Sequence, residues 1–193
     1  KTDEYTYAHS VNVTIFAVAF ANFLGMPVDR LHSVGLAGLL HDYGKALIPH
    51  EILTAPRSLT FQEVETMRGH VQLGVEKIKQ FSSVDQETIE GIEQHHEKHN
   101  GTGYPYRLSG KQIGVIGRVL SLSDVYDALS SKRVYKGALP PNKALGMMYK
   151  MRGQAWAPGY VERFIKMVGI FSFCSAVELS NEHRGIVCRS NTN

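Results

Sequence analysis

The sequence predicts a mainly α fold, a helical bundle of about seven helices with a small C-terminal β-hairpin. Three observations carry that expectation. Apolar residues recur at helical spacing through residues 1–170, breaks containing Gly and Pro divide that stretch, and the tail turns to short β-type segments around a polar SNEHR turn.

The first helix carries His9, Val13, Phe16 and Phe20 on one face and is ended by Gly25 and Pro27. A second, over about 28–42, brings His41 and Asp42 to its end. The stretch HDYGK at 41–45 has a plain reading there: a helix terminus with Gly44 as left-handed cap and Lys45 set against the dipole. Thr60 followed three residues later by Glu63 is a capping-box signature; it opens a third helix through about Gln80, with His70 at mid-length. The fourth, about 84–97, places Ile89, Ile92, His95 and His96 on one side. NGTGYP at 100–105 is rich in turn formers and reads as a loop. A fifth helix carries Ile113, Ile116, Leu120 and Asp124 on its apolar stripe, Pro140 and Pro141 start a sixth, and Pro158 and Gly159 precede a seventh that ends near Gly169. Residues 176–179 and 185–188 are expected to pair as the hairpin, so that 1–170 form the helical domain and 171–193 its appendage.

Composition excludes several classes. With 43% hydrophobic and 20% charged residues the 193-residue chain is neither disordered nor fibrous. A net charge of +3 is too small to indicate a nucleic-acid polymer as partner. The apolar run at 13–24 is too short to span a bilayer and contains Asn22, so no membrane insertion is expected. Two cysteines, Cys174 and Cys188, show neither CxxC spacing nor a disulfide framework, which fits a reducing compartment. The chain begins at Lys1 rather than Met and reads as an excised domain. Six basic residues and no acid fall between 130 and 152; Lys132, Arg133 and Lys136 fall in a loop with the character to hold phosphate, whereas Lys143, Lys150 and Arg152 read as a solvated face.

Five histidines and two aspartates fall on, or at the ends of, apolar helix faces: His9, His41, Asp42, His70, His95, His96 and Asp124. Any one of them alone is a satisfied core residue. Seven together would each cost several kcal/mol to bury unless paired or bound to a cation. Imidazole and carboxylate donors suit iron, manganese, zinc or nickel, and a carboxylate can bridge two ions about 3.5–4 Å apart, the arrangement used for in-line displacement at phosphorus. Seven donors are too many for one open catalytic ion and right for two. His32, His50, His99 and His183 do not share this pattern and are expected at the surface or in packing roles.

The blocks YTYAHS around His9, HDYGK, MRGHVQLG around His70, HHEKHNGTGYP at 95–105 and RVLSLSDVYDALSSKRVYK at 118–136 together resemble the HD-GYP family, bacterial phosphodiesterases that open cyclic di-GMP. The resemblance implies an HD-domain-like bundle in which His9, His41, Asp42 and Asp124 hold one divalent metal ion and Asp42, His70, His95 and His96 the other, with Asp42 as bridge. Iron or manganese is the implied metal, with nickel or zinc as further possibilities. It also implies that Asp42 and Lys45 are catalytic, and that Lys45, Arg133, Lys136 and Tyr104 contact the substrate. The loop Gly103–Tyr104–Pro105 would additionally dock GGDEF-type diguanylate cyclases. Tyr5 stands where members with three metals carry glutamate, which favours two ions. Asn100 replaces an aspartate with little consequence for the turn, and Ser172 and Cys174 replace a proline and a glycine in the terminal segment.

The reading that follows is a cytoplasmic bacterial enzyme, monomer or homodimer, that hydrolyses cyclic di-GMP or 3′,3′-cyclic GMP-AMP to the linear dinucleotide and onward to the mononucleotide. Two alternatives stay open at this point: a catalytically silent dinucleotide sensor, and an HD hydrolase of another nucleotide phosphoester.

Overall fold

Helix α1, Thr2–Phe23, is the longest element and sets the layout. The structure is a computed structural model that describes residues 2–131, 137–170, 176–178 and 180–188, and of residues 2–6 only the helical course. After α1 come α2 (Val28–Leu40), a 3-10 turn (Tyr43–Leu47), α3 (His50–Leu53), α4 (Phe61–Arg68), α5 (His70–Ile78) and α6 (Gln86–Gln94). A second 3-10 turn (Gly110–Gln112) leads to α7 (Val115–Ser130), α8 (Pro141–Lys150), α9 (Tyr160–Val168), β1 (Ala176–Glu178) and β2 (Arg184–Ile186). The mainly α architecture with a terminal hairpin is borne out.

The helix count differs from expectation in two places. One turn of helix, α3, lies where a loop was expected. The third predicted helix is divided at Gly69, whose N–H is shared between the Glu65 and Thr66 carbonyls at 3.2 and 3.1 Å. This tightening ends α4 and starts α5 at His70, so that histidine stands at a helix start instead of mid-helix. The capping box that opens α4 is present: Thr60 Oγ1 accepts from the Glu63 N–H, and Glu63 accepts from the Thr60 N–H. At the end of α1 the chain reverses as predicted. Gly25 adopts φ 80°, and the Met26 N–H reaches back to the Ala21 carbonyl at 3.0 Å.

Helix α6 ends three residues earlier than expected, at Gln94, because the chain tightens there: the Glu97 N–H bonds the Gln94 carbonyl at 2.9 Å, and Gln94 Oε1 accepts from the Gly114 N–H. His95 and His96 therefore lie just past the helix. The expected fifth, sixth and seventh helices are α7, α8 and α9, although Ile113 precedes α7 in the loop.

Along α1 the predicted face is the buried one, with Val13, Ala17 and Phe20 fully enclosed. They pack with Val34 and Ala37 of α2, Ile92 of α6, Leu120 and Leu122 of α7, and Met148 of α8. Edge-to-face rings bind the far end: Phe16 against Tyr126 at 4.9 Å and Phe20 against Phe164 at 5.1 Å. The hairpin pairs Ala176 with Ile186 and Glu178 with Arg184, its second strand starting one residue earlier than expected. No helix among the described residues is long and apolar enough to cross a membrane.

Gly44 is not a left-handed cap. Its φ is not positive; what it supplies is the absence of a side chain, since a Cβ there would stand 1.8 Å from the His70 carbonyl oxygen. Gly74 faces it in the same way, so the turn after Asp42 lies backbone to backbone on α5. That contact brings the HD pair to His70.

Candidate metal centre

Five segments deliver side chains to one place in the bundle: His9 from α1, His41 and Asp42 from the end of α2, His70 from the start of α5, His95 and His96 from beyond α6, and Asp124 from α7. Asp42 is at the middle. One carboxylate oxygen lies 3.5 Å from His9 Nε2, 3.3 Å from His41 Nε2 and 2.5 Å from Lys45 Nζ; the other is 3.4 Å from His70 Nε2. Ligand-type atoms of Asp42, His70, His95 and His96 all lie within 4.8 Å of one another, and so do those of His9, His41 and Asp42. Asp124 borders both groups, 3.2 Å from His9 Nε2 and 3.9 Å from His96 Nδ1. All seven predicted donors are thus brought together. His32, His50 and His183 are exposed and His99 is half-buried, apart from the cluster.

The rings are aimed by what holds their other nitrogen. The Nδ1–H of His41, His70 and His95 donates to the carbonyl three residues back, of Gly38, Met67 and Ile92, at 2.7, 2.8 and 2.6 Å. Each bond fixes the tautomer and leaves Nε2 as a lone pair pointing inward. Those three Nε2 atoms and Asp42 Oδ1 are buried and have no hydrogen-bond partner among the described residues. Unsatisfied groups of this kind cost about 1–3 kcal/mol each, and a cation removes the cost. Neutral imidazoles and carboxylates converging with free lone pairs fit a borderline divalent metal ion.

Electrostatics divides the cluster. Burial pushes the His96 imidazole down to about 4, and burial together with the neighbouring His96 and His41 holds His95 well below the ordinary histidine value. Burial also lowers His70. His9 goes the other way: burial opposes its charge, but Asp124 and Asp127 outweigh it and lift it to about 9. Asp42 is likewise opposed by burial, yet His41 and Lys45 hold its carboxyl well below the usual carboxylate range.

Two residues without a role in the sequence reading shape the site. Asp127 is buried, accepts the His9 Nδ1–H at 2.7 Å, and is itself held by Asn12 Nδ2 and Ser131 Oγ at 2.9 and 2.6 Å. The signal for it was its place three residues after Asp124, on the same side of α7. Glu97, third residue of HHE, is 1% exposed; its carboxylate accepts from the Tyr106 and Leu108 N–H groups at 2.7 and 3.0 Å and pins the loop that follows. A Cβ on Gly103 would stand 2.4 Å from Glu97 Cα, so the GYP loop sits directly on that backbone. Tyr104 stacks on His96 at 4.6 Å between centroids, and burial raises its phenol above the ordinary tyrosine value. Arg133, Lys136, Ser172 and Cys174 lie outside the described residues, as does the Tyr5 side chain.

The family model for the HD domain matches residues 2–158. The chain belongs to the HD domain family. Within it, this HD domain is 37% identical over 186 residues to a cyclic di-GMP phosphodiesterase of Pseudomonas aeruginosa, covering 96% of the chain and 45% of that protein. A 3′3′-cGAMP-specific phosphodiesterase of Vibrio cholerae is 34% identical over 162 residues, covering 83% of the chain and 31% of that protein. Among solved structures, the HDG"Y"P protein Bd1817 of Bdellovibrio bacteriovorus superposes with a TM-score of 0.69 at 24% identity, over 84% of this chain and 52% of that one. The HD-GYP resemblance read from the motifs is borne out. The chain spans less than half the length of these two curated relatives.

Proposed function

We propose that the HD domain is a metal-dependent phosphodiesterase that hydrolyses a cyclic dinucleotide, cyclic di-GMP first and 3′,3′-cyclic GMP-AMP second. The observation that carries this reading is Asp42, one carboxylate shared by two clusters of imidazoles, beside which the buried Nε2 atoms of His41, His70 and His95 have no hydrogen-bond partner among the described residues. His9, His41 and Asp124 would hold one divalent ion, His70, His95 and His96 the other, and Asp42 both. Iron or manganese suits these donors, with nickel or zinc as substitutes. Bound divalent ions supply Lewis acidity toward water and toward phosphoryl oxygens.

The chain's own residues do the rest. Lys45, its ammonium beside Asp42 and partly open to solvent, faces the developing charge on the phosphoryl oxygens. Arg133 and Lys136 are assigned to the substrate phosphates on motif grounds. The oxygen of water adds to phosphorus as the bond to the 3′-oxygen breaks and a proton of that water ends on the departing oxygen, leaving a linear dinucleotide with a 3′-hydroxyl and a 5′-phosphate; a second cut yields the mononucleotide. Tyr104, neutral across the physiological range, lends an uncharged wall to the site. The exposed turn around it supports docking of a GGDEF-type cyclase, and the whole is assigned to the bacterial cytoplasm as monomer or homodimer.

The test is hydrolysis of both cyclic dinucleotides by protein purified without oxygen, stripped by chelator and reloaded with iron or manganese, with products separated by chromatography. The expected result is loss on stripping and recovery on reloading. Activity that persists after complete metal removal overturns the proposal.

A further inference from the structure

Beside the metal centre lies a cavity of about 560 Å³ that the chemistry above does not use. Its walls come from the end of α4 and start of α5, with Glu65, Arg68 and Gln72, and from the loop that carries Thr102, Tyr104 and Arg107. The volume falls in the range of small-molecule sites. One wall is shared with the centre: Tyr104 stacks on His96, and the Arg68 guanidinium lies 5.1 Å over the Tyr104 ring. Gly69, the residue before His70, is also in the lining. A ligand seated here is therefore within one side chain of the imidazoles.

The walls present paired polar groups. Arg68 and Glu65 form an ion pair at 2.5 Å, each about half exposed, so a carboxylate and a guanidinium are presented side by side. The Glu97 carboxylate holds the opposing loop through two backbone bonds, and Arg107 on it adopts φ 56°, a conformation L residues seldom take. Glu65 makes the cavity a poor seat for phosphate. A neutral base with acceptors on one edge and donors on another suits the pair. Guanine offers O6 and N7 to a guanidinium, the commonest specific base contact, and its N1–H and 2-amino group to a carboxylate. Adenine places an amino donor where guanine has O6 and so opposes Arg68.

We propose that this cavity is the subsite for a guanine base of the cyclic dinucleotide, read by Arg68 and Glu65. The inference rests on the cyclic-dinucleotide reading above and names the feature that would select among such substrates.

Calorimetric titration of the metal-loaded protein with cyclic di-GMP and with cyclic di-AMP tests it, using the wild type, Arg68→Ala, Arg68→Lys and Glu65→Gln. Arg68→Ala is expected to weaken cyclic di-GMP binding by roughly tenfold and to narrow the preference over cyclic di-AMP, as loss of a bidentate base contact does. Arg68→Lys recovers part of the affinity, and Glu65→Gln lowers the preference by a smaller factor. Metal analysis and thermal midpoint are read on each variant. Affinity unchanged in Arg68→Ala overturns the subsite, and so does a loss matched by loss of metal, since Arg68 would then act through His70. Wild-type protein that binds cyclic di-GMP with this Arg68 dependence but never cleaves it leaves the subsite standing and removes the hydrolase. Wild-type protein that binds neither dinucleotide removes both.

Discussion

The two sides of the metal centre are held by different means. On the side of His70 and His95, main-chain carbonyls of Met67 and Ile92 orient the rings, which are pushed toward the neutral state by burial. On the other side His41 is also held by a main-chain carbonyl, that of Gly38, but His9 is held by a side-chain network: Asp127 orients the ring, Asn12 and Ser131 orient Asp127, and the nearby carboxylates keep the imidazole protonated. A carbonyl held in its helix cannot be mutated away and carries no net charge. A carboxylate can be removed, and it draws a proton. The first side is thus a ready set of lone pairs, while the second must give up a proton before it can take a metal.

The largest effect is expected where the sides meet. Asp42→Ala removes the one carboxylate common to both clusters. Metal content is expected to fall toward zero and hydrolysis by on the order of a thousandfold or more, beyond the loss of a single oxyanion donor. Retention of two ions per chain in this variant would mean that the sides are separate sites and that the shared carboxylate is not what joins them.

Gly44→Ala attacks the backbone-held side through its scaffold. The new methyl collides with the His70 carbonyl and with the Gly74 nitrogen, both main chain and unable to swing away. A loss of about 3 kcal/mol or more is expected in chemical denaturation, in the range of the severe single substitutions. Gly25→Ala, at a turn far from any neighbour's atoms, is strained only by its own φ and is expected to lose about 1 kcal/mol. Equal losses in the two variants would contradict the close approach.

What the sequence made legible follows from which contacts are local. Helix periodicity and capping are local, so the bundle order, the α4 capping box and the reversal at Gly25 could be read directly. The seven donors were visible because ionisable groups on apolar faces are costly, and the cost is independent of where the partners lie. Less legible were features decided by contact between distant segments. Gly44 looks like a helix cap when only its neighbours are considered, and its real constraint comes from α5. The extension of helix to Glu97 followed from apolar spacing, whereas Gln94 ends α6 by binding Gly114, twenty positions on. Asp127 and Glu97 are buried acids satisfied by partners elsewhere in the fold, His9 for one and the 106–108 backbone for the other. The spacing of Asp127 from Asp124 marks its side of the helix, but neither partner can be read from neighbouring residues.

Asp127→Asn tests the side-chain-held half alone. The amide keeps the shape of the group but no longer accepts from His9 with a charged oxygen, and loss of such an outer partner lowers metal affinity by about 10–100-fold. One of two ions is expected to weaken, and the other, held by His70, His95 and His96, to stay. Metal titration of the variant distinguishes this from uniform weakening, which would show that the halves are not independently held.

The smallest effect is a difference in pH response, measurable in the metal-free protein. His9 has a folded value of about 9 against an ordinary 6.5, so its protonated ring contributes stability that is fully present below about pH 6.5 and is lost as pH rises through about 9. His96 has a folded value of about 4, so it subtracts stability as pH falls from about 6.5 toward 4, where the unfolded chain takes up a proton that the folded site resists. The two together predict a stability maximum near pH 6.5 for this pair of groups. They also predict the proton balance of metal uptake. At neutral pH, filling the His9 side releases a proton to the buffer, and affinity there rises with pH up to about 9; the His96 ring is already neutral, so above pH 6.5 it adds no such dependence. Calorimetry of metal binding in buffers of different ionisation enthalpy counts the protons directly. Two sites with the same proton release would mean that the side-chain network does not charge His9, and the contrast between His9 and the rings of His70, His95 and His96 would lose its chemical consequence.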